Sequence, residues 1–296
     1  MNPIALLALA VLTNPAADSR ADFSSVWHDG QAEVAGYRWS GTRYGQIRQG
    51  EAVAILVTEP FSLSEGVKAD RPTPGGDTVG ALKLNLVRDF QTGIYDYNTM
   101  VSCFLREDDL SLIRQTFTSA EWCGHVFESA RVDGKKLDID LDSYFQGESA
   151  ELRLPYQGGL VGEQLFVWLR GLHGAPIGPG ETADFAYLPE AFDRRMRHRS
   201  IAWETLRVTR DPAPRTVKLP AGSFSADTYR ASCSDGRVLI AQVEAAAPYR
   251  LLSWAWSRSG EILDKGELTG SRRIRYWEEK AQGDESLRES IGLAPR

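Results

Sequence analysis

From about residue 22 to residue 277, apolar and polar side chains alternate at period two over most runs, and Gly, Asp or Asn punctuates them. That pattern predicts half-buried β-strands joined by tight turns. Residues 32–39 and 52–58 read as a hairpin, after which Pro60 interrupts the ladder. Residues 64–80 carry Gly66, Pro72, Pro74, Gly75, Gly76 and Gly80 and read as a loop. Beyond it Leu82, Leu84 and Leu86 face one way, while Lys83, Asn85 and Arg88 fall mostly on the other side. Asp138, Asp140 and Asp142 alternate with Leu137, Ile139 and Leu141, as a solvated strand face does. Helical spacing is confined to residues 160–172, and residues 183–192 read either way. A second block of strands runs from residue 200 to residue 277, broken at Asp211-Pro212-Ala213-Pro214. The absence of βαβ alternation predicts a mainly β protein: an antiparallel curved sheet or half-barrel with few short helices. One β-rich domain is expected over residues 22–280, with a sub-boundary near 211–214 as the alternative, followed by a polar tail at 281–296.

Composition narrows the class. The chain has 296 residues, 42% hydrophobic and 25% charged, which is globular usage. A net charge of -6 argues against general nucleic-acid binding, which needs a basic surface to displace phosphate counterions. Residues 4–12 (IALLALAVL) form an apolar run too short to span a bilayer as a helix, and Ser19-Arg20-Ala21 follows with the small side chains that signal peptidases cut after. The expectation is a signal peptide over residues 1–21 and an exported, periplasmic or secreted protein with no transmembrane segment after processing. In an oxidising compartment Cys103 and Cys123 are a candidate disulfide, closing a loop worth roughly 3 kcal/mol; two buried free thiols are the alternative. Cys233 is left unpaired.

Concentrated chemistry is sparse. Glu121-Trp122-Cys123-Gly124-His125 places thiol and imidazole two residues apart, on one face if the segment is a strand, so Cys123, His125 and Glu121 form the one candidate catalytic cluster. No HExxH, CxxC, Gly-x-Ser-x-Gly or nucleotide-binding motif occurs, and no metal or cofactor is predicted. Residues 194–199 hold Arg194, Arg195, Arg197, His198 and Arg199, a cluster able to meet an anionic lipid, a phosphate or an acidic partner, or to be a solvated turn. Trp254 and Trp256 stand at alternating positions, where aromatics can line a concave ligand surface or fill a core.

The segments from Trp27 to Tyr37, Arg43 to Glu59 and Leu82 to Tyr97, together with Glu-Trp-Cys-Gly-His, resemble an uncharacterised family of exported bacterial proteins. Some members carry the label of the Maf septum-formation proteins, whose Ser-x-Ser-Pro-Arg-Arg segment and alternating α/β architecture this sequence does not have. The second half, with Lys218-Leu219-Pro220-Ala221-Gly222 leading into strands, resembles periplasmic domains of unknown function related to the LolA and LolB half-barrels. The resemblance implies an envelope protein that binds a lipid, another small amphiphile or a protein partner in its curved sheet. The cluster at Cys123, His125 and Glu121 leaves an enzyme as the alternative.

Overall fold

The alternating runs become strands of one continuous ribbon. A computed structural model describes residues 23–71 and 76–295; the expected signal peptide lies outside the described residues. β1 (Ala32–Arg43) pairs antiparallel with β2 (Gln46–Ser62) on one side and with β17 (Glu261–Ile274) on the other. From β2 the sheet steps outward through β4 (Thr78–Thr92), β5 (Tyr95–Arg106), β6 (Leu112–Glu121), β7 (Gly124–Asp133) and β8 (Lys136–Ser143) to the edge strand β9 (Ala150–Pro155). From β17 it steps the other way through β16 (Leu251–Arg258), β15 (Arg237–Glu244), β14 (Gly222–Cys233), β12 (Glu204–Arg210) and β11 (Thr182–Leu188). The two-residue β10 (Leu160–Val161) ends this arm and pairs parallel with β11; the other ladders are antiparallel. Short strands β3 (Val67–Lys68) and β13 (Arg215–Leu219) add to β2 and β14, so Asp211 to Pro214 connect two neighbours within the sheet. The sheet is mainly β, open rather than closed into a barrel, with few short helices.

Curvature brings the two arms over a shared core. Register shifts at Gly36/Tyr37, Phe104/Leu105, Gln242/Val243 and Trp256/Ser257 mark bulges, which bend and twist the strands that carry them. One apolar cluster takes Leu84, Leu86, Val101, Phe117 and Ile139 from one arm and Leu206, Val208, Leu239 and Trp254 from the other. Each large aliphatic side chain so buried contributes about 1.5–3 kcal/mol. The chain between β9 and β12 fills the concavity with two helices of about two turns each, α2 (Gln164–Arg170) and α3 (Ala191–Arg197). Nearly every residue of both is buried, so neither shows the polar stripe by which a surface helix is recognised. Close packing reaches the backbone at Gly266, where a Cβ would lie 2.2 Å from the Trp254 ring across the β16–β17 ladder.

Several sequence expectations are corrected here. Cys103 and Cys123 are both free. Cys103 sits buried in the middle of β5, six residues from Tyr97, while Cys123 sits in the exposed turn after Glu121, the residue paired with Tyr97. Six strand residues span roughly 20 Å, far beyond the reach of a disulfide. Arg88 shares the inward face of Leu84 and Leu86 and is fully buried. Residues 194–199 are not a solvated turn: Arg194 and Arg195 lie on α3 inside the sheet. In the C-terminal segment a 3-10 helix (Asp284–Ile291) seats Ile291 and Leu293 against Ala32, Val34 and Val57.

Candidate functional site

The strand directions bring the β1–β2, β4–β5, β6–β7 and β8–β9 turns to one end of the ribbon, and α3 ends there too. Tyr44 (φ 54°) and Gly45 (φ 69°) both take left-handed backbone, as a two-residue hairpin turn requires; this sets Arg43 as the last residue of β1. At the same end a cleft of about 390 Å³ opens between the inner face of β6–β9 and the segment from α3 to Ile201. Phe117, Val126, Leu141, Leu152 and Ile201 make its walls apolar, while Arg194, Arg195, His198 and Arg199 supply its cationic lining.

These basic groups differ in how they are satisfied. Arg194 donates through Nη1 and Nη2 to the two carboxylate oxygens of Glu128, both at 2.6 Å, and through Nε to the carbonyl of Pro189 at 3.0 Å. Arg199 meets Asp193 and Glu204 at 2.9 and 2.6 Å and Asp235 at 2.9 Å. Arg197 meets Asp193 at 2.9 Å. His198 Nδ1 lies 2.5 Å from Glu148 Oε1. Arg195 donates through Nη2 to Glu121 and packs its guanidinium 4.0 Å from the centre of the Phe145 ring.

Trp254 and Trp256 lie in the core rather than on the cleft, and each anchors a buried carboxyl group. The Asp264 carboxylate accepts from the indole N–H of Trp39 at 2.5 Å and of Trp254 at 2.8 Å, and from Arg88 at 3.0 and 3.3 Å. Trp256 Nε1 donates to Glu190 at 2.7 Å, and Arg88 Nη1 reaches Glu163 at 3.4 Å. Three carboxyl groups therefore surround one guanidinium. Burial is the main reason that Glu163 titrates high, at about 7, and that Glu190 is raised well above the usual carboxylate range.

The alternative cluster of Cys123, His125 and Glu121 is divided between the interior and the surface. Glu121 turns inward to Arg195, whereas His125 and Cys123 are exposed. A maleimide probe added to native, unreduced protein is expected to add once, at Cys123, with Cys123→Ser abolishing the adduct in an intact-mass spectrum. Burial raises the Cys103 and Cys233 thiols, Cys233 to about 12, so both should react only after unfolding; native labelling of either would contradict this packing. Glu204, Cys233 and Asp235 bring potential metal-ligand atoms within 4.8 Å of one another. Arg199 and Arg237 already hold both carboxylates, so this set fits an ion-pair cluster better than a metal.

Arg43, Arg88, Glu128, Glu163, Glu190 and Asp264 were not among the residues that motif and cluster reading singles out. Glu128 and Arg88 did carry a signal: each falls in phase with the apolar residues of its strand, Val126 and Ala130 for one, Leu84 and Leu86 for the other.

No protein-family model matches the chain, and no curated protein matches it either. Among solved structures it is similar to a β-barrel-like protein of domain of unknown function DUF1849 from Brucella abortus. The identity is 9%, the TM-score is 0.49, and the match covers 82% of this chain and 98% of that one.

Proposed function

We propose that this is an exported, non-enzymatic binding protein that holds a small amphiphile in the cleft between β6–β9 and α3. The observation that carries the reading is the cleft's division into an apolar wall and an arginine-bearing lining. Its volume falls in the range of small-molecule sites, which run from about 300 to 1,000 Å³. Apolar walls favour a hydrocarbon segment by removing it from water, and buried polar groups fix the orientation of the other end. The leader-like sequence at residues 1–21 supports export, to the periplasm or beyond. The burial of Glu121 against Arg195 takes the carboxylate away from the enzymatic alternative at Cys123 and His125.

The reading is tested on the protein purified from the envelope fraction, by native mass spectrometry followed by organic extraction and identification of what is released. A reproducible increment assigned to one class of lipid or amphiphilic metabolite is expected. Recovery of the correctly processed chain at its bare mass, with no such molecule in the extract, would overturn the reading.

A further inference from the structure

The basic groups at the inner end of the cleft are unequally compensated. Arg194 and Glu128 cancel through two contacts, and Arg199 is surrounded by Asp193, Glu204 and Asp235. Arg195 differs. Its side chain is 2% exposed, it meets Glu121 through Nη2 alone, and its Nε and Nη1 are buried with no hydrogen-bond partner. The second oxygen of Glu121, Oε2, is also buried and unpartnered, so this pair is joined through one contact where its neighbour is joined through two.

Arg43 stands beside it and is also buried. Arg43 donates to the Met196 carbonyl at 2.7 Å and to the Tyr97 and Tyr44 hydroxyls, each at 3.3 Å. Among the described residues no carboxylate lies within ion-pair distance of it. The fold forces the two cations together: Met196 follows Arg195 on α3, and Tyr97 on β5 is directly paired with Glu121 on β6. Two buried guanidinium groups thus stand beside a single carboxylate, which contacts Arg195 alone. A buried cation without its counter-charge costs several kcal/mol, and buried donors without acceptors add to that.

We propose that Arg195, with Arg43 behind it, is the receptor for the acidic group of the bound molecule, a carboxylate or a phosphate monoester, whose apolar portion lies along Phe117, Val126, Leu141 and Leu152. The inference rests on the amphiphile reading of the cleft and adds the class of head group and the residue that selects it. Arg195 offers Nε and Nη1, and Arg43 supplies the balancing charge. Glu121 is the built-in competitor, since it neutralises the same guanidinium.

The test is calorimetric titration of octyl phosphate, octanoate, neutral octyl glucoside and inorganic phosphate into the full mature chain and into Arg195→Gln and Glu121→Gln, with circular dichroism to establish that each variant is folded. Octyl phosphate and octanoate are expected to bind the unaltered protein. Loss of a charge-assisted contact should weaken them by about tenfold or more in Arg195→Gln. Removing the competing charge should tighten both several-fold in Glu121→Gln. Equal binding of octyl glucoside and octyl phosphate, unaffected by Arg195→Gln, would overturn the acid receptor while leaving the amphiphile reading intact. Inorganic phosphate binding as tightly as octyl phosphate would keep the anion site and remove the amphiphile. No binding by any probe would overturn both. If Arg195→Gln fails to fold, Glu121→Gln decides alone, and unchanged or weaker binding of the two acids there counts against the proposal.

Discussion

Arg88→Leu is expected to lower the free energy of unfolding by about 3–5 kcal/mol, the usual cost of removing one partner from a buried ion pair. Asp264 sets the size of the loss. Its carboxylate is 2% exposed and takes its charge compensation from Arg88, with the indoles of Trp39 and Trp254 as neutral donors. Leucine matches much of the arginine stem but leaves Asp264 charged inside an apolar core, and the Phe192 ring loses the guanidinium that lies 4.4 Å from its centre. Urea unfolding followed by tryptophan fluorescence reads the change, because two of the reporting indoles touch the altered carboxylate. A loss below about 1 kcal/mol would mean that Asp264 is not held as an ion and that the network is not a pillar of the core. Arg88→Leu combined with Asp264→Leu should recover part of the loss, since no isolated charge then remains.

Stability is also expected to fall as pH rises from about 4.5 to about 7. Glu163 is fully buried near a guanidinium that Asp264 already engages, so its carboxyl keeps its proton up to about 7 in the folded protein, against 4.5 for an ordinary glutamate. Below 4.5 both states hold the proton and pH has no effect through this group. Between the two values the unfolded chain has released a proton that the folded chain retains, so the folded state binds more protons and loses stability with each unit of pH. The full loss from Glu163 is on the order of 3 kcal/mol, reached once pH passes the folded value. Glu190 is shifted the same way by burial and extends the slope. Urea unfolding at intervals from pH 4 to pH 8 should show the decline, and Glu163→Gln should be distinctly flatter over the same range. A wild-type profile without slope, or a Gln variant with the parental slope, would mean that Glu163 is ionised in the fold.

The β character of the chain was legible because strand periodicity is local. Alternation along residues 32–58 and 82–141 marks inward and outward faces without knowledge of partners, and a tight turn announces itself at Asp133-Gly134; the first hairpin instead turns at Tyr44-Gly45, earlier than the Gln49-Gly50-Glu51 turn that the sequence suggests. The solvated face at Asp138, Asp140 and Asp142 followed from the same rule. What was hidden is the polar interior. A run such as Arg194-Arg195-Met196-Arg197 reads as surface because burying so many cations is prohibitive unless carboxylates await them. The carboxylates that meet Arg194 and Arg195, Glu128 and Glu121, lie on β7 and β6, far off in sequence. Helix α2 lies within residues 160–172, where the spacing of apolar residues marked it, but α3 was obscured for a related reason: a helix enclosed on all sides has no apolar stripe, and residues 191–197 are too short for a period to establish itself. The apolar cluster around Trp254 depends on Gly266 leaving room for an indole, which only the strand register discloses.

The order of strands constrains how such a chain can fold. β1 is mated with both its sequence neighbour β2 and the last strand β17, so Ala32 meets Ile274 and Ser40 meets Lys265. Strands β4 to β9 can be added to β2 by successive hairpins as the polypeptide emerges, yet the other edge of β1 has no partner until the final strand is available. That makes a twelve-residue strand, Ala32–Arg43, an unprotected edge for the whole interval, open to pairing with another chain. The contacts that close it are also of the greatest sequence separation in the sheet, which slows their formation. A chain of this design is vulnerable while it is incomplete, and crossing a membrane unfolded, to fold only once both ends have arrived, removes that interval.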